Sequence, residues 1–368
     1  MTKILWLSPA FNHYKARFLN HLAMASDVQL SVLTGTGREG MGDGEEAGKW
    51  EYNTIFCNVP KSRFGYSREV FRALKGIFCQ YDWVLIPAEK KNLILLLYAC
   101  RLRFKTKSNG KQVKLVSYNH PVFKSKEGKT TRIDLFLTRF FYRKYDKVVF
   151  YTEDSCRWAI SNGLIPEEKA FWANNTIDET EIIKYKKDRQ NPLSPPRLLM
   201  IGRLLEYRWI DRLIDYYSEL KKIVPTVELH VIGDGPEKYK IEEAQRRISD
   251  IHYYGMLIDE MKIGPIFNEV DFVFIPGHSG LSINHSFAYG KPYITSQDYV
   301  NQPPEYSYLK DGVNSIILTG NRVTDIEKIG QYITDKEKCA ILRNGAIETA
   351  KKLSIKNWVK QMHYALDL

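Results

Sequence analysis

Short, nearly continuous apolar runs recur along this chain, each separated from the next by a segment long enough to hold a helix, and they limit the fold more than any other feature. Ile4–Leu7 precedes an amphipathic stretch from about Tyr14 to Ala25, and Val28–Leu33 follows; Trp83–Ile86, Val113–Ser117 and Lys147–Tyr151 continue the series. A second series starts at Arg197–Ile201 and passes through an amphipathic stretch at Ile210–Lys221 to Glu228–Ile232, Asp271–Ile275, Pro292–Thr295 and Ser315–Leu318. A strand covered by helices on both faces is apolar at successive positions rather than alternate ones. This order therefore predicts an α/β chain built on parallel sheets.

Between the two series, Asn174-Asn175 turns the chain into a polar stretch, Asp178–Asn191, and Pro192, Pro195 and Pro196 follow as a linker. The expected division is a first domain over 1–185, a second over 186–350, and a C-terminal helical segment, 351–368, that returns to the first domain. The two domains are expected to face a cleft. Ligands would enter at the carboxyl ends of the strands, where loops and helix starts converge.

At 368 residues and 44% hydrophobic content the chain is large enough for two cores. Its formal charge of +11 favours an anionic partner: a nucleotide substrate, an acidic membrane surface or nucleic acid. No nucleic-acid motif accompanies the charge, so nucleic acid is not expected. Cys57, Cys79, Cys100, Cys156 and Cys339 lack the close pairing of a zinc knuckle or disulfide scaffold, and the N-terminus opens on an apolar strand rather than a signal segment. A reduced, cytoplasmic chain is the expectation. Leu93–Cys100 is too short to span a bilayer, which limits membrane contact to a peripheral mode. Basic residues among aromatic and apolar ones at 102–114 and 124–143, including Lys126, Lys129, Arg132 and Arg139, suit either an acidic lipid surface or packing on the core.

The segment Pro276–Pro292 joins an apolar strand to a helix through Gly277-His278-Ser279-Gly280-Leu281. Main-chain N–H groups near Gly280 and Leu281 can face phosphate oxygens, helped by the positive end of the following helix. Gly202 gives a tight strand exit, and beyond it Arg203 and Arg208 carry forked donors suited to a diphosphate, with surface solvation as the alternative. Gly233-Asp234-Gly235-Pro236 reads first as a structural turn. Asn284 and His285 can meet a nucleotide or merely satisfy the helix start, and His278 is a candidate sugar or phosphate contact. Glu305 after Pro303-Pro304 is a helix-capping carboxylate by its own context. His120, after Val113–Ser117, sits at a strand exit suited to a sugar. Asn12 and His13 occupy the first strand-to-helix connection as candidate ligand contacts, or as local caps. No phosphate-binding loop ending in Lys-Ser or Lys-Thr, dinucleotide fingerprint or His-Glu-x-x-His pair is present, and His278 and His285 are poorly spaced for a metal. Neither a metal nor a cofactor is expected.

Together Gly202-Arg203-Leu204 with Arg208, Gly233-Asp234-Gly235-Pro236, Asn175-Thr176-Ile177-Asp178 and the Pro276–Pro292 segment resemble the retaining family 4 glycosyltransferases, which have two Rossmann-like domains in the GT-B architecture. The resemblance implies retaining transfer from a nucleotide diphosphate sugar, UDP- or GDP-linked, to a hydroxyl of a glycan or lipid-linked saccharide. It assigns Arg203 and Arg208 to the leaving diphosphate, His120 to the first-domain reaction loop and Glu305 to a ribose contact. Two positions depart from the family: its common pair of glutamates falls on Gly277 and His285, and Arg208 stands where lysine is usual. A catalytically weakened sugar-nucleotide or glycan binder is the alternative these departures leave.

Overall fold

The computed structural model describes residues 1–9, 13–36, 50–108, 110, 112–121, 130–297 and 302–368. Asn12, Lys126 and Lys129 lie outside them, as does the side chain of His13. The chain divides into two compact units, Met1–Asp178 with Ile355–Leu368, and Glu179–Ser354. These boundaries lie a few residues from the 185/186 and 350/351 expected from the sequence. At the first of them the short helix after Asp178 packs into the second unit, where its Tyr185 carbonyl accepts a hydrogen bond from Asn268 at 2.8 Å.

In the first unit, β1 (Thr2–Ser8), α1 (His13–Ala23), β2 (Val28–Thr34), β3 (Asn53–Phe56), α2 (Arg68–Ile77), β4 (Trp83–Leu85), α3 (Leu93–Ser108), β5 (Lys114–Asn119), α4 (Arg132–Tyr142), β6 (Lys147–Phe150), α5 (Glu153–Ser161) and β7 (Ala170–Trp172) follow one another. The strands form one parallel sheet in the order β3-β2-β1-β4-β5-β6-β7. Successive side chains feed two separate cores. Leu5, Leu7, Val84 and Leu115 pack on one face with residues of α2 to α5, while Ile4, Trp6, Leu85 and Val116 pack on the other with Phe18 and Leu22 of α1. That double burial explains why the strands read as unbroken apolar runs.

The second unit comprises α6 (Thr180–Tyr185), β8 (Arg197–Ile201), α7 (Ile210–Ile223), β9 (Glu228–Ile232), α8 (Lys238–Arg247), β10 (Ile251–Tyr253), α9 (Glu260–Glu269), β11 (Phe272–Phe274), α10 (Ser282–Ala288), β12 (Tyr293–Ser296), β13 (Ser315–Leu318), α11 (Arg322–Thr334) and α12 (Lys336–Lys352). Its sheet is again parallel, ordered β10-β9-β8-β11-β12-β13. The strand order reverses between β8 and β11. In open α/β sheets such a switch point opens a crevice beyond the strand ends. The buried Arg189 and Asp271 tie the incoming linker to the start of β11, and the Asp271 carboxylate also accepts the Arg197 N–H at 2.9 Å and the Leu193 N–H at 3.1 Å.

The last helix, α13 (Ile355–Leu366), belongs to the first unit. Its Trp358 is buried with its ring 4.7 Å from that of Phe18, and the indole N–H donates to the Tyr118 hydroxyl at 3.1 Å. Gln361 accepts the Asn174 N–H at 2.9 Å, and Lys147 donates to Asp367 at 2.6 Å. The first core is thus completed by residues from the far end of the chain. Trp358→Ala is expected to cost about 3–5 kcal/mol through the cavity it leaves, read as a lowered denaturant midpoint with an unchanged slope.

Candidate active site

The loops that leave β8 and β11 meet at the switch point of the second sheet. Gly202 leaves β8 with φ +127, and the chain passes Arg203 into a single 3₁₀ turn, Glu206–Arg208, before Trp209 starts α7 in the left-handed region at φ 58. A left-handed non-glycine residue costs about 1–2 kcal/mol. Here the Trp209 ring is covered by the Arg212 guanidinium at 4.1 Å.

Two contacts lock this turn onto the loop after β11. The His278 N–H donates to the Tyr207 carbonyl at 2.9 Å, and Nη1 of Arg208 donates to the carbonyls of His278 at 2.6 Å and Ser279 at 2.7 Å. The backbones approach so closely that a Cβ on Gly277 would stand 2.6 Å from the Arg208 carbonyl carbon and 2.8 Å from its oxygen. Glycine is required there by the neighbouring chain rather than by its own dihedral angles. Arg208, which the sequence offered to a diphosphate, spends Nη1 on main-chain carbonyls. The two roles are not exclusive, since the charge stays directly beneath the loop.

Behind the loop lies a buried polar support that sequence reasoning missed. Gln302 accepts the Ser279 N–H at 3.0 Å and donates to the Gly277 carbonyl at 3.0 Å, while the Ser282 and Tyr293 hydroxyls stand 2.7 Å apart. Gln302 comes from the stretch after β12, so its one signal in the sequence is a polar residue directly before Pro303-Pro304. With these bonds made, the N–H groups of Gly280, Leu281 and Ser282 donate to no acceptor among the described residues. Three successive donors at the switch point, with Gly280 at φ +74, form a concave row suited to anionic oxygens. Arg203 is exposed at the exit of β8.

The other sequence candidates spread over several environments. His278 is half-buried, its ring edge-on to Tyr207 at 5.1 Å. Asn284 and Glu305 are buried, Glu305 in the 3₁₀ turn Pro304–Tyr308, and Pro303 lies beside Gly280. His285 points into the fold: its Nε2 is 2.9 Å from Glu260 Oε1, and its ring packs 4.8 Å from that of Phe267. Tyr289 donates to the other Glu260 oxygen at 2.7 Å, and burial, then that carboxylate, raise its phenol far above the usual range. His120, in the first unit, is exposed beyond β5 with its ring edge-on to Tyr151 at 4.7 Å, and its carbonyl accepts from Tyr142 at 3.1 Å. Gly233-Asp234-Gly235-Pro236 clasps the β8 exit: the Leu204 N–H donates to the Asp234 carbonyl at 2.9 Å, and a Cβ on Gly233 would lie 2.9 Å from the Gly202 carbonyl carbon.

Residues 195–335, which hold this site, match the family model of the glycosyl transferases group 1. No curated protein matches the chain significantly in sequence. Solved structures share its fold throughout. HepE from Anabaena, crystallised with UDP, superposes with a TM-score of 0.72 at 17% identity over 100% of both chains. A glycosyltransferase from Rickettsia africae gives 0.72 at 14% identity over 100% of this chain and 98% of its own, and sucrose-phosphate synthase from Thermosynechococcus elongatus gives 0.69 at 12% over 99% and 98%. The chain has the GT-B fold of these structures, and the part of its second unit that holds the loop site is the part that matches the group 1 model. No helix among the described residues is long and apolar enough to cross a membrane.

Gly277→Ala should lose about 1–3 kcal/mol by overpacking against Arg208, measured by urea denaturation. Gly277→Glu, which puts a larger side chain into the same contact, should lose more stability.

Proposed function

We propose that the chain is a retaining glycosyltransferase that moves a hexose from a nucleotide diphosphate donor to a hydroxyl of a glycan or lipid-linked saccharide. The observation that carries this reading is the row of N–H groups at Gly280, Leu281 and Ser282 that have no acceptor among the described residues, at the switch point where the β8 exit also carries Arg203. Backbone donors fixed by Arg208 and Gln302 need no reorganisation as negative charge develops on the departing diphosphate, which is where electrostatic stabilisation acts. Arg203 adds an exposed cation at the β8 exit. Arg208 then works chiefly as the residue that positions the loop, with its charge also felt by the phosphates.

In the same proposal His278 and Asn284 line the donor side, Glu305 reaches the ribose, and His120 contacts the sugar as it gains cationic character. Asn12 and His13 remain proposed ligand contacts from the first strand-to-helix connection. His285 acts indirectly, by fixing Glu260 behind the helix that starts at Ser282. UDP is the favoured nucleotide because HepE was crystallised with UDP-glucose as well as UDP. The alternative, a nucleotide-sugar binder with little turnover, draws on the two departed positions: Gly277 has no room for an acid, and His285 faces Glu260.

A peripheral membrane position fits the first unit. Ile133, Phe136 and Phe140 form one stripe along α4, with Ile133 71% and Phe136 69% exposed, and Phe104 on α3 is 78% exposed. Arg101, Lys105, Arg132 and Arg139 flank them and are exposed. Apolar side chains with basic neighbours suit the interface of an acidic bilayer, where a lipid-linked acceptor would be presented.

A donor panel with mass-spectrometric detection of released nucleotide and product tests the reaction. One donor and acceptor pair should give glycosylated product, whereas donor binding without product across the panel would favour the binder. Arg203→Ala should lower kcat/KM about 100-fold, the scale of losing a charge-stabilising donor, with the melting temperature unchanged. Phe136→Glu should weaken sedimentation with phosphatidylglycerol vesicles about tenfold, the scale of exposing one buried aromatic side chain, and leave turnover of a soluble acceptor intact.

A further inference from the structure

We propose that Glu228, His230 and His252 form a binding site for a divalent zinc-class metal ion on the second unit, separate from the loop site. Glu228 and His230 are two apart on β9 and therefore share a face of the sheet. His252 on the edge strand β10 is in register with His230, which sets the two imidazoles side by side with ring centroids 4.8 Å apart. One carboxylate oxygen of Glu228 lies 3.3 Å from Nε2 of His230 and 3.9 Å from Nε2 of His252. All three ligand atoms fall within 4.8 Å of one another. Tetrahedral zinc with bonds of about 2.0–2.1 Å needs ligand atoms about 3.4 Å apart. One edge already has that length, and the half-exposed His252 can rotate to shorten the others.

The chemistry of the three groups suits the ion. Imidazole nitrogens and carboxylate oxygens are ordinary zinc ligands. The Tyr254 hydroxyl stands 2.8 Å from Nδ1 of His230. Accepting the Nδ1 proton there leaves Nε2 as the ligand, the usual arrangement behind a metal-bound histidine. Arg197 donates to the same Glu228 oxygen at 2.7 Å and to Glu269 at 2.8 Å. A carboxylate has about four lone-pair directions, so Glu228 can keep Arg197 while it takes a metal. Three protein ligands leave a position for water. The ion would fasten the edge strand β10 to β9.

Equilibrium dialysis of chelator-treated full-length protein against micromolar Zn²⁺, with Co²⁺ absorption as a spectroscopic readout, tests the site. The wild type should hold one ion per chain, show tetrahedral Co²⁺ bands and melt at a higher temperature with Zn²⁺ than without. His252→Ala, on the exposed side of the cluster, should keep the fold by circular dichroism and lose all three signals; Glu228→Gln should lose them as well. An unaltered stoichiometry in His252→Ala, or no ion bound by the wild type, overturns the proposal. Glycosyl transfer is not the readout, so failure here leaves the transferase reading untouched.

Discussion

The second unit depends on the close approach of two backbones at the switch point of its sheet. Residues leaving β8 press so near to residues leaving β11 that Gly277 has no room for a side chain, and Arg208 fills the remaining gap with two charge-assisted bonds to carbonyls. The Ser279 carbonyl also accepts the Ser282 hydroxyl at 2.9 Å, so the loop is held from both sides. Bonding both carbonyls from one guanidinium orients the peptide groups of 278–279. The following N–H groups, on half-buried residues, are left without an acceptor among the described residues.

That geometry gives Arg208 and Gly277 a structural role. One guanidinium nitrogen, Nη1 of Arg208, bonds two carbonyls at once. The absence of a side chain at Gly277 allows the close approach that Arg208 bridges, so the two residues are physically coupled. At the second departed position, His285 and Tyr289 share the carboxylate of Glu260 on α9, and the acidic group in this part of the fold therefore comes from another helix.

Central strands were legible in the sequence because burial on both faces leaves an unbroken apolar signature, and β8 and β9 begin and end where that signature does; the edge strand β13 was legible too, because its residues are almost all buried. The strands that escaped it, β3, β7 and β10, lie at sheet edges, where side chains are partly exposed and composition relaxes. The site was legible where chemistry is local. Glycine, proline and arginine at strand exits mark Gly202, Arg203, Arg208 and Gly280 directly. Gln302 and Tyr293 were not legible as supports, because only the folded order of β11 and β12 brings them behind the loop. Glu228, His230 and His252 stayed hidden for a related reason: their grouping depends on the register of β10, a strand that gives almost no sequence signal.

The central claim is that the loop held by Arg208 and Gln302 presents its N–H groups to a nucleotide diphosphate. It is tested most directly by following the backbone amide resonances of isotope-labelled protein during a UDP titration. The account predicts that Gly280, Leu281 and Ser282 shift together, saturate at one UDP per chain and respond less to uridine, which lacks the phosphates. Saturable UDP binding that leaves these three amides unmoved would contradict it.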